Sequence, residues 1–116
     1  MSEASMYRKK LQEFRKEIDQ IDEQLISLVA QRLKLAKEIA GIKQKMNLEV
    51  RDEKREREII DCVRRRAREL KIDQGFLESL TRLMLAQMAG AEREFIGRNG
   101  IWVQVQSVFK DYPAQL

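Results

Sequence analysis

The sequence predicts an all-α chain of three helices, one long and two of medium length, and three observations carry that expectation. Apolar residues at Leu11, Phe14, Ile18, Ile21, Leu25, Leu28, Leu35, Ile39, Ile42 and Met46 are spaced by alternating gaps of three and four, a heptad seam. Two shorter stretches of helical periodicity follow it. The 116 residues contain a single proline, so little interrupts helix.

Residues 1–6 are small and polar and are expected to be frayed, with the first helix starting near Tyr7 and running to about Met46. The thirty-six residues from Leu11 to Met46 would span about 54 Å at about 1.5 Å each. A compact chain of this length has a diameter of only about 35 Å. A single chain would therefore expose the seam, and a second chain covering it is expected. Gly41, near the end of this helix, costs about 1 kcal/mol of local stability relative to Ala. It reads equally as a close-approach point or as a tolerated surface glycine.

Residues 46–51 read as a loop. Asp52 is placed as an N-cap, with Glu53 and Glu56 at the positive end of a helix dipole. The second helix is expected over Glu53–Leu70, with Ile59, Ile60, Val63, Ala67 and Leu70 as its apolar stripe. Arg64, Arg65, Arg66 and Arg68 cluster near its outer side and read as a solvated face rather than an RNA patch. Asp73 caps a third helix, expected over Gln74–Ile96 and ended by Gly97 and Gly100. These helices make up one domain, residues 1–96. Residues 97–116 form an extended C-terminal tail of unassigned role, in which Val103 to Gln106 alternate like a short strand.

The net charge is +4, but Lys and Arg are interleaved with Asp and Glu, which argues against a nucleic-acid partner. No apolar run approaches the length of a membrane span, and the N-terminus has no signal core. Cys62 is the only cysteine, so no internal disulfide forms and a cytoplasmic, reducing setting fits. The absence of histidine removes Ser-His and Cys-His nucleophile pairs and the usual zinc sites. Any chemistry falls to carboxylates, Lys and Arg.

The misfit in the seam is Arg32, standing where an apolar residue belongs. A cation there is costly unless an anion meets it. Lys43 lies eleven residues on, hence within roughly 20° of the same helix face, and the two long side chains can enclose a small dianion. Arg15, seventeen residues before Arg32, lies about 25 Å away and is turned by roughly 100°, so it cannot share a small-molecule site with Arg32 of the same chain; an antiparallel partner helix could bring it in, a pairing that helical spacing alone does not establish. Asp52, Arg55 and Glu56 occupy the start of the second helix, a short loop from Lys43. Glu92 sits among Met88, Ala89, Ala91 and Phe95, surroundings expected to raise its pKa and keep it protonated. Singly, each of these residues is more often a surface charge than a ligand; the weight lies in the set.

Taken in order, Arg15, Arg32, Lys43, Val50-Arg51-Asp52 with Arg55-Glu56, and Glu92 resemble the all-helical class of chorismate mutases over roughly residues 8–96. Phe14 to Asp22 are similar to that family's opening motif, and Gln31-Arg32-Leu33 and Val50 to Arg57 to the next two. The resemblance implies an intertwined homodimer with two interfacial sites. It also implies conversion of chorismate to prephenate, toward phenylalanine and tyrosine, with no cofactor, metal or covalent intermediate. By the same resemblance, Arg32 and Arg15 of the partner subunit bind the carboxylates. Lys43 touches a carboxylate and the ether oxygen, Glu56 helped by Asp52 binds the ring hydroxyl, and Arg55 orients them. Glu92, where some members carry Gln, donates to the ether oxygen when protonated. Met88 stands where relatives carry a small hydroxyl residue, so a contact there falls to backbone or is lost. Two other readings stand beside this one: an isochorismate-pyruvate lyase on the same fold, and a non-catalytic helical interaction module, which leaves Arg32 unexplained.

Overall fold

A computed structural model describes residues 2–98 of the chain, with the side chains described as far as Gly97. Its helices are α1 (Glu3–Lys45), α2 (Glu53–Leu70) and α3 (Gln74–Arg98), with no strand among the described residues. The alternating segment Val103 to Gln106 lies outside the described residues, as do Gly100 and the rest of the tail.

The boundaries follow from local chemistry. α1 begins at Glu3, earlier than the expected Tyr7, because Ser2 caps it: the Ser5 N–H donates to Ser2 Oγ at 3.1 Å. The Tyr7 hydroxyl donates to Glu3 Oε1 at 2.9 Å and stiffens this first turn. At the other end Asn47 takes a left-handed conformation (φ 55°). Its N–H donates to Gln44 O at 3.2 Å, and the Leu48 N–H to Lys43 O at 2.8 Å, the pair of bonds that closes a Schellman motif. Asp52 caps α2 as expected, accepting from the Arg55 N–H at 3.0 Å. Asp73 caps α3, accepting from the Phe76 N–H at 2.7 Å. α3 runs through Gly97 to Arg98, two residues past the expected Ile96, with Ile96 buried in its last turn.

The chain divides into two units, residues 1–32 and residues 33 onward. The first is helix alone, and its residues from Ser2 to Gln31 are all exposed. The second gathers the end of α1, α2 and α3. Its buried apolar residues are Ala36 and Ala40 of α1, Ile60 and Ala67 of α2, and Leu85, Met88, Ala89 and Ile96 of α3. Much of this core is alanine, which lets helix backbones approach closely while burying little apolar area per residue. Of the expected α2 stripe, Ile59 and Val63 are half-buried and Leu70 is exposed. A Cβ on Gly41 would meet Phe95 Cε1 at 3.8 Å, ordinary van der Waals distance, so this glycine faces α3 without being required there.

Three of the four clustered arginines of α2, Arg64, Arg65 and Arg66, are charge-paired. Arg66 Nη1 lies 2.5 Å from Glu69 Oε2. Arg64 Nε crosses to α3, 2.5 Å from Glu78 Oε1, and Arg82 joins the same carboxylate at 3.3 Å. These cations hold protein carboxylates, in keeping with a solvated face. Among the described residues no helix is long and apolar enough to cross a membrane.

α2 ends on Lys71 with φ 57°, its N–H reaching Arg68 O at 3.4 Å while the Ile72 N–H reaches Ala67 O at 2.9 Å. A side chain in this conformation is strained, and glycine relieves it. The substitution Lys71→Gly is expected to raise stability by about 1 kcal/mol, read as a higher urea midpoint at unchanged slope. An unchanged or lower midpoint would mean that the turn is not under that strain.

Candidate active site

Lys43 is the residue from which the site is built. The Schellman turn at Asn47 folds the chain back beyond the end of α1, and the Lys43 ammonium donates to the Val50 carbonyl of the returning loop. The same ammonium donates to Glu92 Oε2 of α3 at 3.1 Å. Glu92 is 6% exposed, the only buried charged residue among the described residues. Burial pushes its carboxyl above the ordinary carboxylate range, and the hydrogen bond and charge of Lys43, with Arg93 farther off, oppose that rise without cancelling it. The expectation of a raised Glu92 pKa is therefore met, for the physical reason anticipated.

Glu56, half-buried on the first turn of α2, is gripped by Arg51. Arg51 Nε donates to Glu56 Oε2 at 2.8 Å and Nη2 to Oε1 at 2.5 Å, a two-pronged guanidinium–carboxylate pair. That hydrogen bond, followed by weaker charge effects from Arg51, Arg82 and Lys43, outweighs burial and holds Glu56 below the usual carboxylate range. Sequence periodicity does not reveal this pair. Arg51 precedes the helix and Glu56 lies five residues on, a spacing with no face rule.

The other expected site residues are placed as follows. The Asp52 side chain caps α2 through its Oδ1. Arg55 Nη1 lies 3.6 Å from Glu58 Oε2, with both side chains largely exposed, so toward Glu56 the orienting contact comes from Arg51 instead. Met88 is buried in the core. Arg32 is half-buried, and neither it nor the exposed Arg15 makes a hydrogen bond or ion pair with any described residue. A cavity of about 350 Å³ is lined by Glu53, Glu56, Arg57, Ile60, Asp61, Arg64 and Arg82, and of the expected site residues only Glu56 borders it.

A buried carboxyl paired with a lysine and a second carboxylate held by an arginine form a set of proton donors and acceptors on a helical frame. The family model of the type II chorismate mutases matches residues 14–93, a span that contains every residue from Arg15 to Glu92 considered above, and the chain belongs to that family. It is 30% identical over 87 residues, 75% of this chain and 88% of the other, to the chorismate mutase of Methanocaldococcus jannaschii. It is also 48% identical over 60 residues to the bifunctional chorismate mutase/prephenate dehydratase of Aquifex aeolicus, an overlap of 52% of this chain and 17% of that protein. No solved structure matches it significantly.

The raised Glu92 pKa fixes a sign for stability. Its neutral form favours the folded chain, so that contribution is full below the ordinary value of 4.5 and is lost as pH rises through the folded pKa. Glu92→Gln keeps the neutral form at every pH. Thermal melts across this range should show the variant gaining on the wild type as pH increases; a constant difference would contradict the assignment.

Proposed function

We propose that the chain is a chorismate mutase acting as a homodimer, converting chorismate to prephenate by an intramolecular [3,3] rearrangement. The observation that carries the reading is the Lys43–Glu92 pair, a cation and a buried carboxyl whose burial favours its neutral form, 3.1 Å apart, inside the span that matches the family. The rearrangement needs no covalent help. It needs a flexible dianion held in its compact conformer, and charge stabilised on the ether oxygen as the C–O bond breaks.

In this reading Arg32 binds one carboxylate. Arginine suits it because its planar fork meets a carboxylate at two points, and Arg32 has no described protein acid to satisfy it. Arg15 of the partner subunit binds the other. Lys43 touches a carboxylate and the ether oxygen, and protonated Glu92 donates to the same oxygen. Glu56 accepts from the ring hydroxyl, with Asp52 beside it. The support for a second subunit is the α1 seam, whose residues from Leu11 to Met46 are each between 46% and 62% exposed in the single chain.

Loss of chorismate absorbance on adding the purified protein tests the reaction. Arg32→Ala should lower kcat/KM by about a hundredfold or more while folding at least as well as the wild type, since an unsatisfied cation is removed. An active Arg32→Ala enzyme, or one that unfolds, would assign the residue a structural role. Because Glu92 donates only when protonated, wild-type activity should fall as pH rises through its raised pKa, and Glu92→Gln should retain activity with a flatter profile. A flat wild-type profile over about pH 5 to 8 would remove Glu92 from this role.

A further inference from the structure

The loop between α1 and α2 does more than connect them. Over three successive residues it makes three polar anchors: the Val50 carbonyl accepts from Lys43 Nζ, the Arg51 guanidinium grips Glu56, and the Asp52 carboxylate accepts from the Arg55 N–H. Two of these hold groups that the mutase reading assigns to substrate. Arg51 itself has no role in that assignment.

A physical problem makes the Arg51 contact informative. The substrate carries two carboxylates, and Glu56 is a third negative charge offered to its ring hydroxyl. At close range in a partly buried site such charges repel strongly unless a cation offsets them. Arg51 supplies that cation, with its side chain 40% exposed and that of Glu56 25% exposed. The fork occupies one acceptor position on each Glu56 oxygen, Nε on Oε2 and Nη2 on Oε1. A carboxylate has about four such positions, so the grip leaves room for a hydroxyl donor while fixing the plane in which it must approach.

We propose that Arg51 is a positioning residue of the mutase site, offsetting the charge of the Glu56 carboxylate and fixing its plane so that its remaining acceptor positions receive the ring hydroxyl of a dianionic substrate. The assignment rests on the mutase reading above. It acts through Glu56, so its consequences appear in substrate binding and in the protonation of Glu56. Without Arg51, burial is opposed only by the weaker charges of Arg82 and Lys43, and the Glu56 carboxyl titrates at higher pH.

The test is the pH dependence of kcat and KM on chorismate for the wild type, Arg51→Gln, Arg51→Lys, Glu56→Gln and the double variant Arg51→Gln/Glu56→Gln. Arg51→Gln should raise KM by about tenfold with a smaller change in kcat, and should move the acid limb of kcat/KM to higher pH. Arg51→Lys, which keeps the charge and loses the fork, should recover part of the KM. The double variant should be no worse than Glu56→Gln alone, because Arg51 has nothing left to act on. Equal losses from Arg51→Gln in both backgrounds, or an unmoved KM and acid limb, would overturn the proposal. If Arg51→Gln does not fold, the KM and acid limb of Arg51→Lys decide it: wild-type values there would also overturn it. A wild type inactive on chorismate would sink the mutase reading itself. An active wild type with additive variants would sink only the role of Arg51.

Discussion

The apolar seam of α1 is the constraint on which everything else depends. In the single chain its side chains from Leu11 to Met46 are about half exposed, and none of them belongs to the buried core. Covering what remains is worth about 1 kcal/mol per residue, hence on the order of 10 kcal/mol for the seam, comparable with the whole stability of a small domain. The core of the second unit is built largely of alanine and lacks any fully buried large side chain among its described residues, so it offers little to set against that exposure. A second copy of the chain, as proposed, meets this deficit. The same covering would enclose Arg32, which stands on the seam with no described acid beside it. In the proposed dimer, assembly and substrate binding draw on one surface.

In the mutase reading the second unit supplies the remaining site residues through economy of chain. α1 ends in a left-handed turn at Asn47, and this returns Val50 to Lys43 and sets Arg51 against Glu56. Lys43 then bridges to Glu92 on α3, so a loop and the two helices α1 and α3 meet at one ammonium. Arg51 holds Glu56 ionised while burial favours the neutral form of Glu92. Two glutamates are thereby pushed in opposite directions, one toward accepting a proton bond and one toward donating it.

Much of this was legible in the sequence where the signals are local. The limits of α2 follow from Asp52 as a cap and from a regular apolar stripe, and the start of α3 from Asp73. The rise in the Glu92 pKa follows from its apolar neighbours on the same helix. The start of α1 was missed because the Ser2 cap precedes the seam rather than belonging to it. The end of α3 falls at Arg98, two residues past the expected Ile96 and between the two glycines expected to end it. The left-handed Lys71 has no sequence mark, since glycine is the usual residue there. In the site, Lys43 meets a carboxylate forty-nine residues away and Arg51 one across a loop–helix junction, and no periodicity reports either contact. The chain order of the motifs gave the candidate residues; their pairing required the fold.

The central claim is that each site draws Arg32 from one subunit and Arg15 from the other. Mixing two inactive variants tests it most directly. Arg15→Ala and Arg32→Ala homodimers each lack one of the two arginines at both sites. Unfolded together and refolded, they form hybrids in which one site regains both and the other loses both. The account predicts that the mixture recovers about a quarter of wild-type activity, half of the dimers being hybrid with one working site apiece. A mixture no more active than the two variants assayed apart would contradict it.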